Sequence, residues 1–336
     1  MWFLLFERGF DRSAITIWSN PMPSVFHYTD AAGLLGILSA ESLFATDYRY
    51  LNDATEAGVI RDLLMPVLEA EIAELTPKLI EKKWLKKEYY DEHGVSAHRL
   101  QAEKLYNSIA RAADNVTPFF VTSFCRHEEG TQAFDHGLLS QWRGYAGSGG
   151  FAIEFDEQKL DSLLKAETLE FAYAGFKSSD VQYDEYNRVF DPEAYKGLAG
   201  AMIWEVFNHA GIDVSAVTGR RNMDEVMLTY VQTAPFLKHW GFSEEREYRI
   251  VAVCIRPSKK AEDEKRSTKW MKFRQRSGQV IPYIELFETA DQPFPIKSII
   301  VGPHPAQEKQ AEAVRMALEA ESMDAAVRLS EIPYRS

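Results

Sequence analysis

The sequence predicts an α+β protein, a mixed or antiparallel sheet core carrying large helical insertions. Three observations predict it. Short runs rich in aromatic and β-branched residues recur near 25–28, 42–46, 119–125, 151–155, 247–254, 298–302 and 325–329. Long stretches near 55–115 and 190–240 carry apolar residues at helical spacing. Strand and helix segments are interspersed without the regular βαβ alternation of a doubly wound sheet.

Residues 1–23 are expected to form an N-terminal extension, with Met22 an alternative start, and 24–336 a single domain. Val25-Phe26-His27-Tyr28 reads as the opening strand, and Asp30 as the N-cap of a helix bearing Leu34, Leu35, Ile37 and Leu38. Ser42 to Thr46 returns as a strand, and a turn with Leu51-Asn52-Asp53 leads into a helix near Thr55-Glu56. Pro66, Pro77 and Gly94 are expected to divide the helical region that follows. Phe119 to Cys125 is the clearest buried strand of the first half. Gly147 to Gly150 is a tight turn into the strand Phe151–Phe155, and 157–168 is helical. Residues 192–239 read as helices interrupted near Gly211. Glu247–Cys254 and Ser298–Gly302 are strands, a helix occupies 305–321, and Ala325–Leu329 is the last strand.

Composition narrows the function classes. The chain has 336 residues, 46% hydrophobic, with 20 Phe, 15 Tyr and 7 Trp, enough to build a core. A net charge of −12 argues against coating nucleic acid by bulk electrostatics, while leaving room for a local basic patch. The run Glu81 to Lys87 reads as the solvated face of a helix. The two cysteines, Cys125 and Cys254, lie in apolar strands, so free thiols and a reducing, cytoplasmic setting are expected. Cys125-Arg126-His127 offers two metal-ligand types without further partners, and no metal is predicted. No stretch approaches the ~20 apolar residues that span a bilayer. The first residues lack the basic front and cleavage site of a signal peptide, so neither secretion nor membrane insertion is expected.

Five constellations carry candidate chemistry. His27 and Thr29 share one face of the opening strand, where they could grip a sugar hydroxyl, with Tyr28 on the other face. Asn52, Asp53 and Glu56 cluster where a turn enters a helix, a spacing that a capping box also explains. Thr122-Ser123 places hydroxyls in an apolar strand, where bonds to backbone are usual. Gln141-Trp142-Arg143-Gly144-Tyr145 offers two rings, Trp142 and Tyr145, that could stack on a ligand or fill the core. Ser243 to Arg249 is the most informative. Glu245, Glu247 and Arg249 fall on one face of a strand, and such charges are costly to bury without partners.

Taken in order, Phe26-His27-Tyr28-Thr29, Leu51-Asn52-Asp53 with Glu56, Ser123-Phe124, Gln141 to Tyr145, Glu245 to Arg249, Ile300-Val301-Gly302-Pro303 and Ser330 to Arg335 resemble a bacterial family catalogued as domain of unknown function number twenty-nine seventy-one. The set also resembles ADP-ribosyltransferases, in which a His or Arg on an early strand, a Ser or Tyr on a later one and a Glu on a third come in that order. That resemblance implies a fold of the same type and NAD as substrate, with no metal. It implies His27, Ser123 (or Tyr145) and Glu247 as catalytic residues, and Tyr28, Thr29, Asn52, Asp53, Trp142, Tyr145 and Arg249 with His27 around the dinucleotide. His27 would hold the ribose. Glu247 would stabilise the oxocarbenium-like state as nicotinamide leaves. The expected function is an NAD-consuming transferase, a bacterial defence or toxin effector whose macromolecular acceptor is a protein or a nucleic acid. Two alternatives stand beside it. One is a non-catalytic ligand- or partner-binding protein of a bacterial defence or stress system. The other is a Mg²⁺-dependent nuclease or hydrolase using Asp53, Glu56 and Glu247.

Overall fold

The computed structural model describes residues 24–51, 56–94, 96–116, 119–145, 149–184, 193–209, 211, 230, 233–255, 265–276 and 278–333. It is an α+β fold. In chain order the strands and helices are β1 (Ser24–Thr29), α1 (Ala31–Ala40), β2 (Leu43–Asp47), α2 (Glu56–Glu81), α3 (Lys87–His93) and α4 (Ser96–Val116). Next come β3 (Phe119–Arg126), α5 (Gln132–His136), α6 (Leu139–Tyr145), β4 (Phe151–Asp156), α7 (Glu157–Glu170), β5 (Phe171–Asp180), β6 (Gln182–Asp184) and α8 (Glu193–His209). The chain continues through β7 (Leu237–His239), β8 (Glu247–Cys254), β9 (Ser267–Thr268), β10 (Lys272–Arg276), β11 (Gln279–Leu286), β12 (Ile296–Val301), α9 (Gln307–Ala320) and β13 (Ala326–Leu329).

Eleven strands form one mostly antiparallel sheet, and it forks at β3. One edge of β3 pairs along its length with β8, which continues to β5. The other edge is shared. Near its start, at Phe120 and Val121, β3 pairs with β2, which leads to β11 and β10. At its end, at Cys125 and Arg126, it pairs with β1, which leads to β4, β12 and β13. Between these contacts β1 and β2 diverge, leaving Thr122, Ser123 and Phe124 without a ladder partner on that edge. Helix α1 joins the diverging strands. Asp30 caps it, its Oδ1 accepting from the Gly33 N–H at 2.8 Å.

Alternation along the strands fixes what lies on each face. On the first face Val25, Phe120, Phe124, Ile153, Tyr248, Ile250 and Ile299 pack under Leu34 and Leu38 of α1, Leu160 and Leu163 of α7, and Val314 and Leu318 of α9. On the second face Phe119, Val121, Val251 and Val253 pack under the helical insertions: Ile60, Leu64 and Leu68 of α2, Leu105 of α4 and Met202 of α8 share that cluster. A smaller cluster on this face joins Phe26, Tyr28, Cys125, Ala152 and Ile300 to Trp142 of α6.

Three local expectations change. Helix α2 continues through Pro66 and Pro77. Its buried stripe offsets the lost N–H bonds, and Thr76 Oγ1, just before the second proline, donates to Ile72 O. The lysine run lies mostly in the turn between α2 and α3 rather than on a helix face, with Lys83 at φ +58° and Lys82 over the Trp84 ring. Glu245 precedes β8, in a 3-10 turn (Trp240–Glu245). Both cysteines are free thiols. Among the described residues, no helix is long and apolar enough to cross a membrane.

Candidate functional site

The centre of the second face, between its two apolar clusters, is polar. Register places Ser123 opposite Arg249 and Cys125 opposite Glu247, so these four side chains lie on adjacent strands and one face. Glu247 is 5% exposed and Arg249 1%. Arg249 grips the carboxylate with both prongs of its fork, Nε to Oε1 at 2.8 Å and Nη2 to Oε2 at 3.0 Å. Lys238 of β7 adds a bond from Nζ to Glu247 Oε2 at 3.1 Å and another to Glu245 Oε2 at 2.8 Å. The Ser123 side chain, on the same face, also helps to hold the Glu247 carboxyl down. The third group on the Arg249 guanidinium, Nη1, donates to Pro235 O at 2.6 Å, and Tyr183 Oη accepts from the Glu247 N–H at 2.8 Å.

These contacts set the charges. Burial alone would raise the Glu247 carboxyl, but Arg249 above all, then Lys238 and the Ser123 hydroxyl, hold it down at about 2. Burial raises Glu245 despite its bond to Lys238. Lys238 is desolvated as well, yet Glu247 and Glu245 outweigh that and raise it. Burial, followed by the two carboxylates, pushes the Tyr145 phenol up to about 12, although 37% of the residue remains exposed. The same influences raise the Cys125 thiol well above its ordinary value, which favours the protonated form.

Tyr28 and Trp142 stand beside this group. The Leu138 N–H donates to Tyr28 Oη at 2.9 Å. Nδ1 of His127 donates to Arg126 O at 3.0 Å, which leaves Nε2 to accept from Tyr28 Oη at 2.8 Å. Burial lowers His127 to about 4, keeping it neutral, and both its nitrogens are occupied, so it has none to offer a metal. Trp142, a candidate for stacking on a ligand ring, is fully enclosed, with Nε1 donating to His136 O. A side chain on Gly137, at φ +77°, would meet the indole at 2.5 Å, and one on Gly302 at 2.9 Å. The ring fills a compartment and leaves Tyr145 as the more open of the two.

His27 and Thr29 have the opposite parity. His27 meets the Phe124 ring of the first face, centroids 5.7 Å apart. It also fills the fork: Nδ1 donates to the Ser123 carbonyl at 2.9 Å, on the edge that β1 has left. On the β2 side Thr122 Oγ1 donates to Phe44 O at 3.0 Å. Burial lowers the His27 imidazole, so it is neutral with its proton on Nδ1. Thr29 packs on α1, where a side chain on Gly33 would meet its Oγ1 at 1.9 Å. Ser123 thus accepts from His27 through its carbonyl, and its side chain lies on the Glu247 face of the sheet. Asn52 and Asp53, and the side chain of Glu56, lie outside the described residues.

Sequence reasoning missed Lys238 and Tyr183. The signal for Lys238 was a lone lysine within the apolar run Phe236-Leu237, at odds with an exposed position. Two recesses, of about 400 and 380 Å³, lie elsewhere, one lined by Arg315, Leu318 and Met323, the other by Ala73, Tyr90 and His98. No three His, Cys, Asp or Glu side chains are grouped to hold a metal among the described residues.

Residues 141–250, which run from α6 into β8, match the family described as protein of unknown function DUF2971. The segment contains Trp142, Tyr145, Lys238, Glu247 and Arg249, while His27 and Ser123 precede it. Neither the curated proteins nor the solved structures give a match, and the resemblance to ADP-ribosyltransferases gains no support from them.

Proposed function

We propose that the protein breaks the N-glycosidic bond of NAD and passes the ADP-ribosyl group to a macromolecule. One observation carries this reading: Glu247 of β8 is a buried carboxylate held ionised at about 2, across the strand pair from Cys125 and one same-face position from Ser123, whose carbonyl accepts from His27 of β1. The bond between ribose C1′ and the nicotinamide nitrogen breaks, and its electron pair leaves with the ring, which becomes neutral nicotinamide. The positive charge left on the ribosyl centre requires an ionised carboxylate nearby, and Glu247 is ionised across the physiological range. An acceptor nucleophile then bonds to C1′ and gives up its proton to solvent. His27 has the parity of the first face and Glu247 that of the second, so in this reading His27 acts only through the Ser123 carbonyl it holds, and the partly exposed Tyr145 offers a ring beside the carboxylate.

A second reading has its own support. Both Glu247 oxygens are already taken by Arg249 and Lys238, as in a purely structural ion cluster, and this favours a non-catalytic binding protein. Incubation with NAD labelled in its ADP-ribosyl half and candidate protein, DNA and RNA acceptors separates the two. Covalent label on one acceptor class, with nicotinamide released, is the expected result. Absence of both label and free nicotinamide with every acceptor contradicts the transferase and leaves the binding protein.

A further inference from the structure

We propose that Arg274 and Arg276, on the free edge of the sheet, form a binding site for the pyrophosphate group of a phosphorylated ligand. The segment 265–276 holds Lys265, Arg266, Lys269, Lys272, Arg274 and Arg276 and no acidic residue, in a chain of net charge −12. Two of these cations are neutralised locally. Lys269 pairs with Glu167 and Glu288, and Lys272 with Glu285 and Glu288. Arg274 and Arg276 differ from them, since neither has a carboxylate within ion-pair distance among the described residues. They lie two residues apart on β10, on one face and about 6.5 Å from each other along the strand. β10 pairs with β11 alone, so its outer edge is open among the described residues.

Arg274 is held for a ligand in a way a surface arginine is not. Its side chain crosses β11 toward β2, with Nη2 donating to Thr46 Oγ1 at 2.9 Å. The guanidinium lies 5.4 Å from the Phe44 ring centroid and 5.7 Å from that of Tyr283. Nε is enclosed and has no acceptor. An enclosed donor without a partner is costly, and so is a second cation on the same face; burial and the nearby Arg276 both disfavour the charged form of Arg274. A dianionic group shared between the two forks removes both costs, with a small shift of the guanidinium opening Nε. Phosphoryl oxygens match the planar fork in two-point contacts, and the half-buried rings of Phe44 and Tyr283 give the rest of an organic ligand an apolar bed. Nothing in this site depends on NAD cleavage.

Titration calorimetry with inorganic pyrophosphate, against sulfate at equal ionic strength, tests it. The expected result is saturable one-to-one binding of pyrophosphate that weakens as salt rises. Arg274→Gln and Arg276→Gln should each cost roughly tenfold or more in affinity, the loss of one charge-assisted contact. Equal binding of sulfate, no binding of pyrophosphate, or unchanged affinity in folded variants overturns the proposal. Should Arg274→Gln melt early, the Nε–H resonance of Arg274 in the unaltered protein decides. A shift that saturates with pyrophosphate supports the site, and an unmoved resonance refutes it. Nicotinamide release is not read in either experiment, so failure here leaves the glycosidic reading untouched.

Discussion

Glu247 and His127 show how single residues on this sheet have their charge fixed by opposite means. Glu247 is buried yet ionised, because Arg249, Lys238 and Ser123 supply more than desolvation removes. His127 is buried and neutral, because Tyr28 and the Arg126 carbonyl satisfy both nitrogens without needing a second proton. The consequences for stability fall in different pH windows. The pKa of His127 is lowered from 6.5 to about 4, so the unfolded chain binds a proton that the folded one refuses across that interval. Stability is therefore full above pH 6.5 and falls as the pH drops toward 4, by about 3 kcal/mol for this group. Glu247, held near 2 against an ordinary 4.5, contributes stability that is present above 4.5 and lost as the pH falls toward 2. Urea denaturation at about pH 7, 6.2 and 5.5 should show the first loss above the window in which Glu247 contributes. In His127→Gln the slope over this range should flatten, with the remainder owed to His27, whose pKa is also lowered. An unchanged slope in the variant would assign the acid sensitivity to other groups.

At the level of elements, the fork between β1 and β2 organises the molecule, and α1 is the clasp across it. The helix leaves β1 so tightly that Gly33 touches Thr29, and a Cβ there would lie 1.9 Å from the threonine hydroxyl. Alanine normally stabilises a helix by about 1 kcal/mol over glycine. Here the sign should reverse: Gly33→Ala should lower the melting temperature, and Thr29→Ala with Gly33→Ala should recover most of the loss. A single variant as stable as the parent would contradict the tight exit. Much of this layer was legible in the sequence. The cap at Asp30, the apolar strand at Phe119 to Cys125 and the charged start of β8 all follow from local patterns. The fork was not legible, because it depends on two strands far apart in sequence competing for one edge of β3. Nor was the role of Trp142 as filling, since the glycines that admit it, at 137 and 302, are distant from each other in the chain. Alternation correctly separated His27 from Tyr28, but only the divergence of β1 and β2 shows how His27 comes to rest on Ser123.

On the scale of the whole molecule, the two faces of the sheet divide the labour. The first is closed by α1, α7 and α9 over a continuous apolar core. The second carries the insertions at one end, the Trp142 compartment at the other, and the charged group of Ser123, Lys238, Glu247 and Arg249 between them. That position makes the site sensitive to charge balance. Replacing Glu247 alone strands two cations in the interior, at a cost of roughly 3–5 kcal/mol, so Glu247→Gln is best paired with Lys238→Met, which removes one cation along with the anion. The most direct test is the rate of nicotinamide release from NAD by the unaltered protein, Ser123→Ala and the Lys238→Met/Glu247→Gln double variant, each confirmed as folded by its thermal transition. The account predicts measurable release by the unaltered protein, a fall of about 10²–10³ in the double variant and a smaller fall in Ser123→Ala. A folded double variant that releases nicotinamide at the unaltered rate would contradict it.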